Sequence, residues 1–363
     1  MITERARLTS MSSINPLKEE LSRMTIPSTS TMRLASVSGS SSVNEQLIAK
    51  TAQDKDTLDS YGKLQAQIIK QPTSTFVIPQ FIIPPDEKVE SWDFKEGNIQ
   101  MDCFRYVGEV FQYYSELEKK IFIRTNYIDL QKGFTADDRE AVIDLLVQIH
   151  YAFKAAKLNL NPDSLYLAVN MIDRFLSLSS LSKQKLPLLA IACLYIACKF
   201  EETQYPSAVH LKSLTKAFPS LTDLYVMERL VLDKLRFKLG LPTAFTFLKR
   251  FSIIAELDQS LGLSARYICE QTLSSYHIST SYLPSMVAAS SVALSLLIHN
   301  KRPWSATLAF YTGYEWEQMR HCLTDIVELL KKAPNLRYKS TYLKYAERLY
   351  LNISEHVVSC LST

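Results

Sequence analysis

The stretch LLAIACLYIACKFEETQYP, Leu188–Pro206, decides how the rest of the chain is read. From Leu188 to Cys198 every residue is apolar, small or aromatic, and Lys199-Phe200-Glu201-Glu202 then follows without transition. A helix that is apolar on every side is surrounded by other helices, so the pattern predicts a buried central helix over Leu186–Glu201. Its small residues let neighbours approach closely. Two carboxylates at its end oppose the helix dipole, which favours cations there. Glu201 and Glu202 read as solvated, and nothing within the helix accounts for them.

The bulk properties narrow the field. The chain has 363 residues, enough for two or three domains. With 41 basic and 37 acidic side chains the net charge is +4, too even to imply a nucleic-acid partner. Only 8 glycines occur, which argues against phosphate-cradling loops and for helices. Six cysteines, Cys103, Cys193, Cys198, Cys269, Cys322 and Cys360, lack CxxC spacing and read as reduced thiols in an intracellular protein. The start MITERARLTS has no apolar core and does not read as a signal peptide. No run supplies the ~20 apolar residues of a membrane helix, so no membrane partner is expected. The reading places the protein in nucleus and cytoplasm.

Working outward from the central helix, the same plan occurs twice. Thr135 is a candidate N-cap, followed by Asp137 and Asp138 and by the stripe Val142, Leu145, Leu146, Ile149. Asn161-Pro162-Asp163 is a helix start: cap, first-turn proline, acid. A further helix over about 222–238 is expected to stop at Gly240 and Pro242. Helices are then predicted over 245–257, from Ser264, over 304–310 and over 315–332. Between them LPSMVAASSVALSLLI, Leu283–Ile298, matches Leu186–Cys198 in type and in rank order. Upstream, Phe104, Val107, Val110, Phe111 and Tyr114 predict a helix over about 102–119. A short amphipathic helix is expected within 44–70, and TFVIPQFIIPP, Thr75–Pro85, reads as an extended, proline-broken segment. Ser/Thr-rich Thr25–Asn44 is expected to be disordered.

A search for reactive constellations finds none. There is no HExxH, Walker loop, GxSxG or metal-spaced Cys/His cluster, and the six histidines are isolated. Glu201 and Glu202 are adjacent, so on a helix they diverge by about 100° and share no substrate face. No enzyme, cofactor or metal is therefore expected.

LYLAVNMIDRFLS, Leu165–Ser177, followed by KLPLLAIACLYIACKFEE, Lys185–Glu202, resembles the first cyclin box of A/B-type cyclins. LPTAFTFLKRF, Leu241–Phe251, and YLPSMVAASSVALSL, Tyr282–Leu296, resemble the second box, and RYVGEVFQYYSELE, Arg105–Glu118, the helix before the first. The resemblance spans roughly 91–348. It implies an all-α fold of two tandem five-helix cyclin boxes behind an N-terminal helix and a disordered tail. The segments would be a regulatory tail over 1–94, N-terminal helix plus first box over 95–240, second box over 241–348, and a C-terminal tail over 349–363.

The resemblance also implies a partner, a cyclin-dependent Ser/Thr kinase that the chain binds and activates. The family's first-box set falls on Arg139, Asp173, Leu188, Lys199 and Glu228. Arg139, Asp173 and Leu188 are expected to hold the box together. Lys199 and Glu228, with Phe200, Leu232 and Leu239, are expected to face the kinase, while Met227 and the other apolar residues of its helix are expected in the core. The family's substrate-docking patch is altered: Asp138 stands where a methionine is usual, and Leu145 where a tryptophan is, leaving Ala141, Val142 and Leu145 as a smaller apolar strip. Arg5 and Leu8 frame an Arg-x-x-Leu core similar to a destruction box, which implies a ubiquitin ligase as partner of the tail. The alternatives are a scaffold that binds without activating a kinase, and a transcription-related protein of the same fold. The even charge and the absence of paired CxxC motifs weigh against the latter.

Overall fold

Fourteen α-helices and no strand make up the described residues of the computed structural model. It describes residues 76–92 and 106–362, apart from 121–122, 124–125, 132, 156–157, 216 and 219. Of the expected tail over 1–94, residues 1–75 and 93–94, with the helix within 44–70 and with Arg5 and Leu8, lie outside the described residues, while residues 76–92 are no loose tail and pack against the core through Phe76, Ile78, Phe81, Ile83 and Trp92.

Helix α1 spans Val107–Lys120, and a 3-10 turn at Tyr127–Leu130 leads on. The first repeat contains α2 (Ala136–Ala155), α3 (Pro162–Leu178), α4 (Leu186–Glu201), α5 (Ala208–Leu214) and α6 (Leu221–Leu235). The second contains α7 (Ala244–Ile254), α8 (Gln259–Gln271), α9 (Tyr276–Ser281), α10 (Pro284–Ile298), α11 (Ala306–Thr312) and α12 (Trp316–Lys332). Helices α13 (Ser340–Tyr345) and α14 (Ile353–Ser362) follow.

The central helices behave as their composition demands. In α4 every residue from Leu189 to Cys198 is buried, and α3, α2 and α6 pack around it. In α10 thirteen of fifteen positions are buried, from Ser285 to Leu296 without a break, under α7, α8 and α12. Helix α3 starts as expected: the Asn161 side chain accepts from the Asp163 N–H and Pro162 occupies the first turn. Thr135 precedes α2, and its N–H and hydroxyl both donate to the Asp138 carboxylate.

Several boundaries differ from the expectation. Helix α6 ends at Leu235 because Arg236 (φ 51°) and Phe237 (φ 55°) both turn left-handed, with Gly240 taking no part. The second-repeat helix expected from Ser264 starts at Gln259, capped by Asp258, and Ser264 lies buried inside it. Gly262 in its first turn disguised the start. Helix α9, a sixth helix, interrupts the expected five-helix plan. Residues 349–363 are no tail either: Ile353, Val357 and Leu361 of α14 are buried, and α14 packs on α8 and α12. Their i, i+4 spacing is a helical stripe.

Candidate functional site

The C-terminal end of α4 meets α6, and there Lys199 Nζ pairs with Glu228 Oε1. The lysine side chain is 32% exposed and the glutamate 14%. Lys199 Nζ also lies 4.3 Å from the centre of the Tyr195 ring, a cation–π contact one turn back on the same helix. The Tyr205 ring is 6.4 Å from Tyr195, and burial followed by the nearness of Tyr225 and Glu228 raises the Tyr195 pKa. A partly exposed ion pair adds only about 0–1 kcal/mol of stability, so stability alone does not explain it.

Exposed apolar side chains stand beside the pair. Phe200 is 51% exposed, and Tyr205 and Tyr225 are exposed with it, whereas Val226 and Leu230, exposed too, lie about 160° round α6 from Glu228. A Cβ added to Gly240 would meet the Phe200 ring at 3.5 Å, which brings the link after α6 into the same area. In that link Phe237 is 68% exposed. Two successive non-glycine residues in the left-handed region cost about 1–2 kcal/mol each, and they turn Phe237 away from the core. Leu232 and Leu239 are half-buried against the core. Met227 is buried as expected, but the other apolar residues of α6 divide. Leu224, Met227, Val231 and Leu235 form the core stripe and leave Tyr225, Val226 and Leu230 outside it. These three and Phe237 were missed in the sequence, where the signal was apolar residues left over after the i, i+3, i+4 stripe is assigned.

The second group is a buried hub. Arg139 is fully buried and binds Asp173 through two bonds, Nε to Oδ1 and Nη2 to Oδ2, each 2.8 Å. Its Nη1 donates to the Leu273 and Ser274 carbonyls at 3.0 and 2.9 Å, and Nη2 to Ser279 Oγ at 3.2 Å. Tyr127 OH donates to Asp173 Oδ1 at 2.7 Å. Burial alone would lower the guanidinium pKa, but Asp173 and Tyr127 turn the shift upward. One arginine on α2 therefore holds α3, the 3-10 turn and the link between α8 and α9, so it joins the two repeats as well as the first box. Leu188 belongs only partly to this core: it is half-buried, between buried Leu186 and the unbroken buried run from Leu189.

The expected docking strip changes character. Val142 and Leu145 are buried in the core and only Ala141 remains half-exposed, with α4, α13, α3 and α9 all packed on α2. Ser340 at the start of α13 donates its N–H to Asp144 and accepts from Gln148 on that helix. The strip is a packing surface and not an accessible groove. Asp138 pairs instead with Lys183 at 2.8 Å.

Glu202 is a further correction. Its Oε1 accepts from the Asn161 N–H at 2.6 Å and from the Ser164 hydroxyl at 2.9 Å. The carboxylate that ends α4 thus sits at the N-terminus of α3, where a negative charge is favoured. Glu201 alone is exposed; burial and the neighbouring Asp163 raise its pKa. Among the described residues no cluster of three or more His, Cys, Asp or Glu could hold a metal, and no helix is long and apolar enough to cross a membrane.

Comparison with known proteins fits this arrangement. The family model "Cyclin, N-terminal domain" matches residues 109–240, and "Cyclin, C-terminal domain" matches 242–359. Cyclin-B2-3 of Arabidopsis thaliana is 31% identical over 261 residues, covering 72% of this chain and 59% of the relative. The G2/mitotic-specific cyclin-A of Hydra viridissima is 36% identical over 223 residues, 61% of this chain and 52% of its own length. This chain thus spans between half and two thirds of those two relatives. The G2/mitotic-specific cyclin-B2 of Oryzias luzonensis is 31% identical over 73% of this chain and 68% of its own. A viral cyclin from herpesvirus saimiri has the same fold, with a TM-score of 0.54 at 18% identity over 60% of this chain and 96% of that one.

Proposed function

Since the chain belongs to the cyclin family, with A- and B-type mitotic cyclins among its relatives, we propose that it is a regulatory subunit that binds and allosterically activates a cyclin-dependent Ser/Thr kinase. The observation that carries this reading is the Lys199–Glu228 pair with exposed Phe200, Tyr205 and Tyr225 beside it and exposed Phe237 on the link that follows α6. Apolar side chains exposed together around a polar anchor are the composition of a protein-binding surface.

In this proposal the chain's contribution is conformational and the kinase subunit supplies the chemistry. A kinase is active only when its strand Lys pairs with the helix-C Glu and its metal-binding Asp is in place. A partner shifts the kinase towards that state only by as much as it binds that state more tightly. Moving a 1:99 population to 99:1 takes a preference of roughly 10⁴-fold. The exposed apolar side chains supply area and the ion pair supplies register. The names of the relatives favour action at G2 and mitosis, and the proposal places that action in nucleus and cytoplasm. The Arg5–Leu8 core supports a ubiquitin ligase as second partner, and deletion of the first twenty residues should then lengthen the protein's half-life at mitotic exit.

The test substitutes Lys199→Glu and Glu228→Lys separately, and measures kinase capture and phosphorylation of a histone substrate. Each should lower both by at least about tenfold. Undiminished activity in both overturns the proposal. Full capture with no phosphorylation by the unmodified chain selects the scaffold reading instead.

A further inference from the structure

Residues 76–92 run along the second repeat without forming a helix or strand. Pro79, Pro84 and Pro85 interrupt the segment, and its one internal backbone bond among the described residues is Glu87 N–H to the Pro84 carbonyl. The surface beneath therefore sets its shape. Ile78 is buried, and Phe76, Phe81, Ile83 and Trp92 pack against the core.

The contacts address the backbone. Trp316 Nε1 on α12 donates to the Pro79 carbonyl at 3.0 Å. On α11, Thr307 Oγ1 accepts from the Glu90 N–H at 3.0 Å and Tyr311 OH accepts from the Trp92 N–H at 2.9 Å. The Phe81 ring meets Trp316 edge-on at 5.9 Å. Arg302, just before α11, pairs with Glu87 and lies 5.5 Å from the Phe81 ring centre. Main-chain bonds together with side-chain pockets are how proteins recognise extended peptides.

Tyr311 has a second role. Its ring lies 5.4 Å from the Arg250 guanidinium, which lies 4.7 Å from the ring of Phe111 on α1. Phe111 in turn packs edge-on against Phe247 of α7 at 6.0 Å. The end of the extended segment and helix α1 thus rest on one aromatic–cation stack.

We propose that the second repeat carries a peptide-docking groove, that residues 76–92 are its ligand held in cis, and that occupancy of the groove secures α1 through Tyr311, Arg250 and Phe111. Kinase binding is not a premise of this assignment. The ligand class is an extended segment of aromatic and branched apolar residues broken by proline.

The test uses the full chain and its Ile78→Asp/Phe81→Asp variant, with a fluorescent peptide of residues 76–92 as probe. In the unmodified chain the Glu90 and Trp92 amides should exchange at least about tenfold more slowly than in the free peptide, and the probe should not bind. In the variant those amides should lose protection, α1 amides should exchange faster, the probe should bind, and amides of α4 and α10 should keep their protection. The proposal is overturned if the unmodified chain leaves Glu90 and Trp92 unprotected. It is equally overturned if the variant, with α4 and α10 protected, fails to bind the probe or leaves α1 unchanged. Should the variant lose α4 and α10 protection, Tyr311→Phe in the full chain replaces it, and retained protection at Trp92 is the overturning result.

Discussion

Replacing Arg139 by methionine keeps much of the side-chain volume and removes every polar contact that the guanidinium makes. Asp173 then stays 2% exposed with Tyr127 OH as its remaining side-chain partner, and the Leu273 and Ser274 carbonyls lose their shared donor. Breaking a buried ion pair by removing one partner costs about 3–5 kcal/mol, because the survivor is stranded. A carbonyl left without a partner costs about 1–3 kcal/mol when water cannot reach it. Ser274 is half-exposed, so its carbonyl regains a water. Arg139→Met is therefore expected to lower unfolding free energy by about 4 kcal/mol. Arg139→Met/Asp173→Leu leaves no stranded charge and should recover about 2 kcal/mol of that loss.

The assay is chemical denaturation of the purified chain, followed by far-UV circular dichroism and by tryptophan fluorescence. Trp304 and Trp316 are buried in the second repeat, while circular dichroism reports both repeats. Arg139 ties the first repeat to the α8–α9 link, so in Arg139→Met the two transitions should separate. A loss below about 1 kcal/mol, or strictly additive single substitutions, refutes the hub reasoning.

Four further outcomes are expected. The exchange Lys199→Glu/Glu228→Lys restores an ion pair but reverses its polarity; kinase capture should remain lost in a pull-down, and recovery would mean that the two residues serve only each other. Glu202→Ala removes the acceptor at the start of α3 and should cost about 1 kcal/mol in denaturation, with α3 amides showing the loss in hydrogen exchange. Arg236→Gly relieves one left-handed non-glycine residue and should stabilise the chain by about 1 kcal/mol, read as a rise in the denaturation midpoint. Glu118 accepts from the N–H and hydroxyl of Ser285 at the start of α10, and burial, partly offset by those bonds, raises its pKa to about 6. An acid raised from 4.5 binds its proton more tightly when docked, so α1 docking should strengthen as pH falls from above 6 to 4.5, by about 2 kcal/mol. His150 contributes the opposite trend to global stability, because burial lowers its pKa to about 4. The measurement is therefore local: Ser285 amide protection against pH, with the trend abolished in Glu118→Gln.

What could be read in the sequence was whatever a single segment decides alone. The apolar run set α4 over Leu186–Glu201, and Asn161-Pro162-Asp163 set the start of α3, because composition and local capping suffice there. Features that depend on a second segment were illegible. Gly240 looked like the end of α6, but Arg236 and Phe237 took the left-handed positions, which leave Phe237 exposed. Val142 and Leu145 looked available, and are buried in the core where several helices pack on α2. The Lys199–Glu228 surface was legible through family resemblance in its charged members and in Phe200, Leu232 and Leu239, while exposed Tyr225 is an apolar residue that a helical pattern assigns equally well to a core.

Glu201-Glu202 shows why such gaps have a physical cause. Judged by its own helix, a carboxylate at the end of α4 is unfavourable by a few tenths of a kcal/mol to about 1 kcal/mol. The partner that reverses the sign is forty-one residues earlier, where the Asn161 N–H and the Ser164 hydroxyl meet Glu202 Oε1. Antiparallel packing of α3 against α4 brings the start of one helix beside the end of the other, so one carboxylate opposes a dipole it terminates and satisfies one it caps. Charge-assisted bonds to donors at a helix start contribute about 1.5–3 kcal/mol, more than the opposing term, and the second interaction decides the balance. The same carboxylate fixes the end of α4 against α3, and Lys199, three residues before it, emerges from that fixed end. Placement of the exposed ion pair therefore depends on a contact that the isolated stretch from Leu188 to Pro206 could only present as a contradiction.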